Sequence, residues 1–147
     1  MSPSGRRYAV FWAPLDAIPG ALHSHGHYLL RACEVSEMSL SDALGRVVSG
    51  RARLALCFGL DPVEPRGVAV AQPFEDERGL ILEMHTMAGE ELLRWSWQLN
   101  EMATAWAREL GCYAGRFHGR RGLSRAYPDC NIIGYARPGL AVYEKVL

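Results

Sequence analysis

The chain has 147 residues, 49% of them hydrophobic and 22% charged, the size and make-up of one domain around one core, residues 1–147. Its 16 basic and 16 acidic side chains cancel to a formal charge of zero, which excludes a general electrostatic pull toward nucleic acid or an anionic membrane. Four cysteines without CxxC spacing, and no apolar run long enough for a signal peptide or a membrane span, predict a cytoplasmic protein with reduced thiols.

Tyr8–Trp12 is a short apolar run closed by Pro14 and predicts a first strand. Asp16–Gly20 reads as a turn and Ala21–Glu34 as a helix, with Leu22, Leu29, Leu30 and Cys33 among its apolar positions. Gly26 weakens that helix by about 1 kcal/mol relative to alanine. Within it, His23 and His27 share a face, a spacing that zinc can use, with His25 between them. No cysteine or carboxylate adds ligands at a telling spacing, so no metal site is expected. A substrate-side loop or a solvated helix face accounts for the three histidines. Ser39–Asp42 offers capping residues for a second helix, Ala43–Val48, stopped by Ser49–Gly50.

Three meandering strands follow: Arg51–Phe58, Gly67–Phe74 with Pro73 interrupting its end, and Leu80–Thr86 after a polar hairpin at Glu75–Gly79. The spacing of Leu92, Trp95, Leu99, Met102, Trp106 and Leu110 predicts a long helix over Glu90–Leu110. Glu90 and Glu91 suit the positive end of its dipole, and Gly111 its stop. Trp97 falls off the apolar stripe and packs on another layer or anchors an interface. Tyr113–His118 is a fifth strand, reached by a right-handed parallel crossover. Leu123–Tyr127 is a short helix stopped by Pro128, and Asn131–Ala136 pairs with Leu140–Val146 about a turn at Arg137–Pro138–Gly139.

This order of elements resembles the acetyl-CoA-dependent N-acetyltransferase (GNAT) fold over nearly the whole chain. More narrowly, four pieces resemble small GNAT-like proteins encoded by tailed bacteriophages: Ser49–Leu54, Ala107–Cys112, Gly119–Leu123 and Val142–Leu147. The resemblance implies an α/β fold, a mixed central sheet of about seven strands with helices on both faces. The sheet would be mostly antiparallel with one splayed parallel pair, Leu80–Thr86 and Tyr113–His118. Acetyl-CoA would lie in that splay, its pyrophosphate on backbone N–H groups at the next helix start. The family's loop there reads R/Q-x-x-G-x-G/A. This chain has Met87–Ala88–Gly89–Glu90–Glu91 instead, a degenerate version whose carboxylates would repel a pyrophosphate if they faced it.

Glu83 lies in the strand where many GNAT enzymes carry a general base; the alternative is a solvent-facing strand residue. His85, two residues on, shares its face and could act as the base, orient Glu83, or line the cleft edge. Tyr127 lies in the region of the family's thiol-protonating tyrosine, or packs its ring there. Arg116, Arg120, Arg121 and Arg125 form a basic cluster with His118. It could hold the adenosine 3′-phosphate of coenzyme A, meet an acidic partner, or be a solvated turn. The coenzyme would thus be met by Met87, Ala88, Gly89, Glu90, Arg120 and Arg121. Two functions stand side by side. One is acetyl transfer to an amine, with Glu83 and His85 as base and Tyr127 as acid. The other is a non-catalytic GNAT-fold phage protein, a virion component or a binder of a host protein.

Overall fold

The computed structural model describes residues 7–147, with the side chain of His85 outside the described residues. The strands are β1 (Tyr8–Trp12), β2 (Arg53–Gly59), β3 (Glu64–Asp76), β4 (Gly79–Gly89), β5 (Ala114–Gly119), β6 (Asn131–Arg137) and β7 (Leu140–Val146). The helices are α1 (Ile18–Ser36), α2 (Leu40–Val48) and α3 (Leu92–Leu110), with 3-10 segments at Leu15–Ala17 and Arg121–Arg125. Among the described residues the strands form one seven-stranded sheet in the order β1-β2-β3-β4-β5-β7-β6. Every neighbouring pair is antiparallel except β4–β5, which α3 joins as a parallel crossover.

Strand alternation divides the core in two. Leu54, Leu56, Val68 and Val70 point to α1 and α2, while Ala55, Cys57, Ala69 and Ala71 point to α3. Both helical faces are therefore served by the same two strands, whose middles are buried throughout. No helix among the described residues is long and apolar enough to cross a membrane.

Several boundaries differ from the sequence reading, among them β4, which runs to Gly89 rather than Thr86, and four more have a local reason. The first helix begins at Ile18 rather than Ala21, because Pro19 lies in its first turn, where a missing N–H is harmless. The second begins at Leu40, with Ser39 accepting from the Asp42 amide at 3.0 Å. The third strand runs through Pro73 to Asp76. β2 pairs with β3 only as far as Ala71, so Pro73 sits where β3 has a neighbour on the β4 side alone. The long helix begins at Leu92, not Glu90; Glu91 is its N-cap in a left-handed conformation at φ 56°.

Two bulges shape the functional half. Cys57 pairs with Gly67 and Phe58 with Pro65, which leaves Arg66 as the extra residue of β3. Buried His25 of α1 reaches this bulge: its Nε2–H donates to the Cys57 carbonyl at 3.0 Å, and its Nδ1 accepts from Ser24 at 2.7 Å. Burial holds the His25 pKa below its ordinary value, and His27 lowers it further, against the carbonyl bond. His25 is thus a neutral core residue, while His23 and His27 are exposed. The second bulge is in β4: Val70 faces Thr86 but Gln72 faces Glu83, so β4 carries one extra residue there. Before it, Leu82 and Met84 pack under α3; after it, Ala88 packs under α1.

Trp95, 1% exposed, closes the top of the α3 layer. Its ring lies on the Gly67–Gly89 pair of β3 and β4, where an added Cβ would come within 2.4 Å and 2.7 Å of its Cζ2. The indole N–H donates to the Glu90 carbonyl at 2.8 Å, which fixes the start of α3 to the end of β4.

Candidate active site

The parallel ladder runs from Ile81–Ala114 to Met84–Phe117, while β4 continues to Gly89 and β5 to Gly119. The strands therefore part just where β4 carries its bulge. Ladder geometry then decides which side chains meet at the opening. Glu83 shares a face with its cross-strand neighbour Gln72, which Arg46 of α2 holds at 2.9 Å. Glu83 thus points to the α1–α2 side. On β5, His118 lies on the same side, its Nε2 3.9 Å from the Glu83 Oε1. Both side chains are partly buried.

His118 also lines a cavity of about 150 Å³ between the end of α1 and the β6–β7 hairpin. Val35, Ser36 and Glu37 form one wall, and Ala136, Arg137 and Leu140 the other. Arg137 spans the two, donating to the Glu37 carboxylate at 2.7 Å and to the Val35 carbonyl at 2.8 Å.

The opposite side of the opening is an apolar cleft beneath α3. Two small cavities of about 30 Å³ each share Met84, Asn100 and Phe117, and one of them extends to Met87, Leu123 and Tyr127. Tyr127 lies two residues past the 3-10 helix Arg121–Arg125 rather than inside a helix. Its ring meets that of Phe117 edge-on at 5.5 Å, and its hydroxyl shares a hydrogen bond with Ser96 of α3. Desolvation raises its pKa; the Ser96 bond lowers it and Cys130 raises it further. The phenol therefore keeps its proton at neutral pH. Tyr143 ties the 3-10 helix down, donating to the Arg120 and Arg121 carbonyls at 2.6 and 2.9 Å.

The predicted coenzyme residues occupy three settings. Met87, Ala88 and Gly89 belong to β4 and pair with Ala69, Val68 and Gly67. Met87 lines the α3-side cleft, whereas the Ala88 side chain is in the α1-side core. Glu90 and Glu91 turn to Arg66, which lies 3.6 Å from the first and 3.8 Å from the second and also pairs with Glu64. Three carboxylates thus share one guanidinium, and Arg94 adds a second cation 3.6 Å from Glu91. Arg120 and Arg121 are exposed at the start of the 3-10 helix, with Arg125 at its end.

The predicted basic cluster is split. Arg116 is on the other face of the sheet, held by Glu144 at 2.8 Å and Asp76 at 3.0 Å. Asp129 at the end of this segment pairs with Lys145 at 3.2 Å. His85 is a β4 residue, and its side chain lies outside the described residues. The Glu83–His118 pair was missed as a pair, because it depends on the register of two strands that long helix α3 separates in sequence. Strand period was a usable signal, since it sets Arg116 and His118 on one face. Among the described residues no group of three or more His, Cys, Asp or Glu is placed to hold a metal ion.

No family model matches the sequence, and no curated protein matches it. Solved structures match over 95% or more of its length. A GNAT-family acetyltransferase from Listeria monocytogenes superimposes with a TM-score of 0.60 at 14% identity, covering 100% of this chain and 99% of that one. A GNAT-family acetyltransferase from Elizabethkingia anophelis, solved with acetyl-CoA bound, gives 0.61 at 15% identity over 95% and 98% of the two chains. The PaiA N-acetyltransferase from Thermoplasma acidophilum, in complex with coenzyme A, gives 0.59 at 10% identity over 96% and 99%. With its mixed sheet, its single parallel pair and helices on both faces, the chain has the fold of the GNAT acetyltransferases.

Proposed function

We propose that this protein transfers an acyl group, acetyl in the simplest case, from a coenzyme A thioester to an amine by direct attack. One observation carries the reading: at the parting of β4 and β5, Glu83 and His118 stand on one face and Tyr127 on the other. An acceptor on the α1 side would lose its proton to Glu83, which His118 helps to orient. His85 is the alternative base on the same strand. On the α3 side Tyr127, kept protonated by its desolvated setting, would hand its proton to the leaving sulfur.

The α3 side also suits the donor. Met87 and Leu123 give an apolar wall for a pantetheine arm. The start of α3 after Gly89 and Glu90 offers backbone N–H groups, with Arg66 drawing the nearby carboxylates to itself. Arg120 and Arg121 are exposed where they could meet the donor's outer phosphates. When bound, the thioester supplies the acyl carbon and carries away the thiol.

A second reading is favoured by the Ser96–Tyr127 bond, which bridges a cleft with cavities of only about 30 Å³. In it the chain is a non-catalytic scaffold, a phage virion component or a binder of a host protein. Acyl transfer and host-protein binding would both be set in the cytoplasm, in keeping with four free cysteines, and a virion component in the virion. Calorimetry with acetyl-CoA and coenzyme A separates them. Saturable one-site binding supports acyl transfer, and an acceptor screen by mass spectrometry then follows. No binding at millimolar ligand sinks it and leaves the scaffold reading.

A further inference from the structure

We infer that the α1-side cavity is a pocket for an amine that also bears a carboxylate, an amino acid with an apolar side chain, and that Arg137 takes the carboxylate. The role of the amine rests on the acyl-transfer reading; the binding of the amino acid does not.

The cavity is lined by partly buried His118 and by the Arg137–Glu37 pair, and the Glu83 carboxylate, outside the lining, lies 3.9 Å from His118. Arg137 stands at the rim, its side chain 41% exposed. A zwitterion matches this pattern, its ammonium toward Glu83 and its carboxylate toward the guanidinium. A polyamine would set a cation against Arg137, and a simple amine would leave Arg137 unused. Val35, Ala136 and Leu140 supply apolar wall for a side chain.

Arg137 is also arranged to exchange its partner. Nη2 donates to the Val35 carbonyl at 2.8 Å, a backbone contact that aims the group. Nη1 donates to Glu37 at 2.7 Å, but that carboxylate is 74% exposed. An exposed ion pair contributes little, so a ligand carboxylate can displace it while the Val35 bond keeps the guanidinium in place. Two N–H donors on one planar group then match a carboxylate. Glu37 acts as an internal stand-in for the ligand's acid group, and removing it should strengthen binding.

The test titrates the full-length protein, without coenzyme, with L-leucine and with 3-methylbutylamine, the same molecule lacking its carboxylate. Backbone amide shifts at Ser36 and Ala136 and calorimetry give the affinities. L-Leucine should bind at least about tenfold tighter, as expected when a charge-assisted hydrogen bond is lost. Arg137→Gln should abolish the difference, and Glu37→Gln should enlarge it. Both positions are exposed, so both variants should keep the parent melting temperature. Equal affinities, no binding of either ligand, or a preference that survives Arg137→Gln would each overturn the inference. Coenzyme binding, measured separately, judges acyl transfer: leucine binding without coenzyme binding keeps this pocket and sinks the enzyme, and the reverse does the opposite.

Discussion

Replacing Gly67 with alanine would drive a methyl group into Trp95. The added carbon would lie 2.4 Å from Cζ2 and 2.9 Å from Cη2 of the ring, and 2.8 Å from the Ala88 carbonyl oxygen. Carbon atoms prefer about 3.5–4.0 Å. The ring is buried and its N–H is committed to Glu90 at 2.8 Å, so it cannot swing clear without losing that bond. Overpacking costs about 1–3 kcal/mol and the hydrogen bond about 1 kcal/mol. Alanine recovers about 0.5–1 kcal/mol through its smaller loss of backbone freedom. The net expectation is a loss of about 2 kcal/mol, or about 4–8 °C in melting temperature for a chain of this size. Urea denaturation would read it, with Gly134→Ala as control, where an added Cβ meets nothing within 4 Å. Trp95→Phe lacks both ring atoms that the methyl would strike but leaves the Ala88 carbonyl contact at 2.8 Å, so in that background Gly67→Ala should cost less than in the parent without becoming neutral. An unchanged or higher stability for Gly67→Ala alone would refute the packing argument.

If acyl transfer is observed, Glu83→Gln should lower its rate by about 100-fold or more, the usual contribution of a general base; unchanged turnover would remove Glu83 from the chemistry. The depressed pKa of His25 means that the unfolded chain binds a proton near its ordinary 6.5 while the folded chain resists it. Stability should therefore be full above that pH and fall as pH drops below it. His25→Gln keeps an N–H donor and should flatten the fall between pH 7 and 5; an identical pH profile would count against the neutral assignment. Burial pushes the Cys57 and Cys130 thiols up to about 12 and about 11. All four cysteines are buried, so native protein at pH 8 should react with Ellman's reagent far more slowly than urea-unfolded protein. Rapid labelling of either thiol in the native state would contradict its burial.

The order of elements was legible because each carries its own signal, apolar runs bounded by turn residues in the strands and the Leu92–Trp106 stripe in α3. What escaped was set by neighbours rather than by local sequence. Pro19 reads as a breaker but suits a helix's first turn, and Pro73 reads as a strand end until β2 is seen to stop short of it. Met87–Gly89 lies where the family's loop would begin, yet it pairs with β3 to the end, and Trp95 lies over the last pair, Gly67 and Gly89. Of the candidate site, Glu83 and Tyr127 could be picked out by position. The Arg116-to-Arg125 run read as one patch because sequence does not show that β5 turns Arg116 to the opposite face from the 3-10 helix. His25 could not be told from its neighbours, because the carbonyl it satisfies is exposed by a bulge far along the chain.

The last strand of the sheet pairs unevenly with β7, slipping between Ile132 and Gly134 and again between Tyr135 and Arg137. β6 is an edge, and it exposes Ile133 at 49% and Tyr135 at 54%. A straight edge with such residues would invite a strand from another molecule. Two bulges in seven residues break the even spacing of its outward N–H and C=O groups, so an incoming strand finds no continuous ladder to extend. The irregularity gives the chain a built-in resistance to fibre-like stacking at the β6 edge.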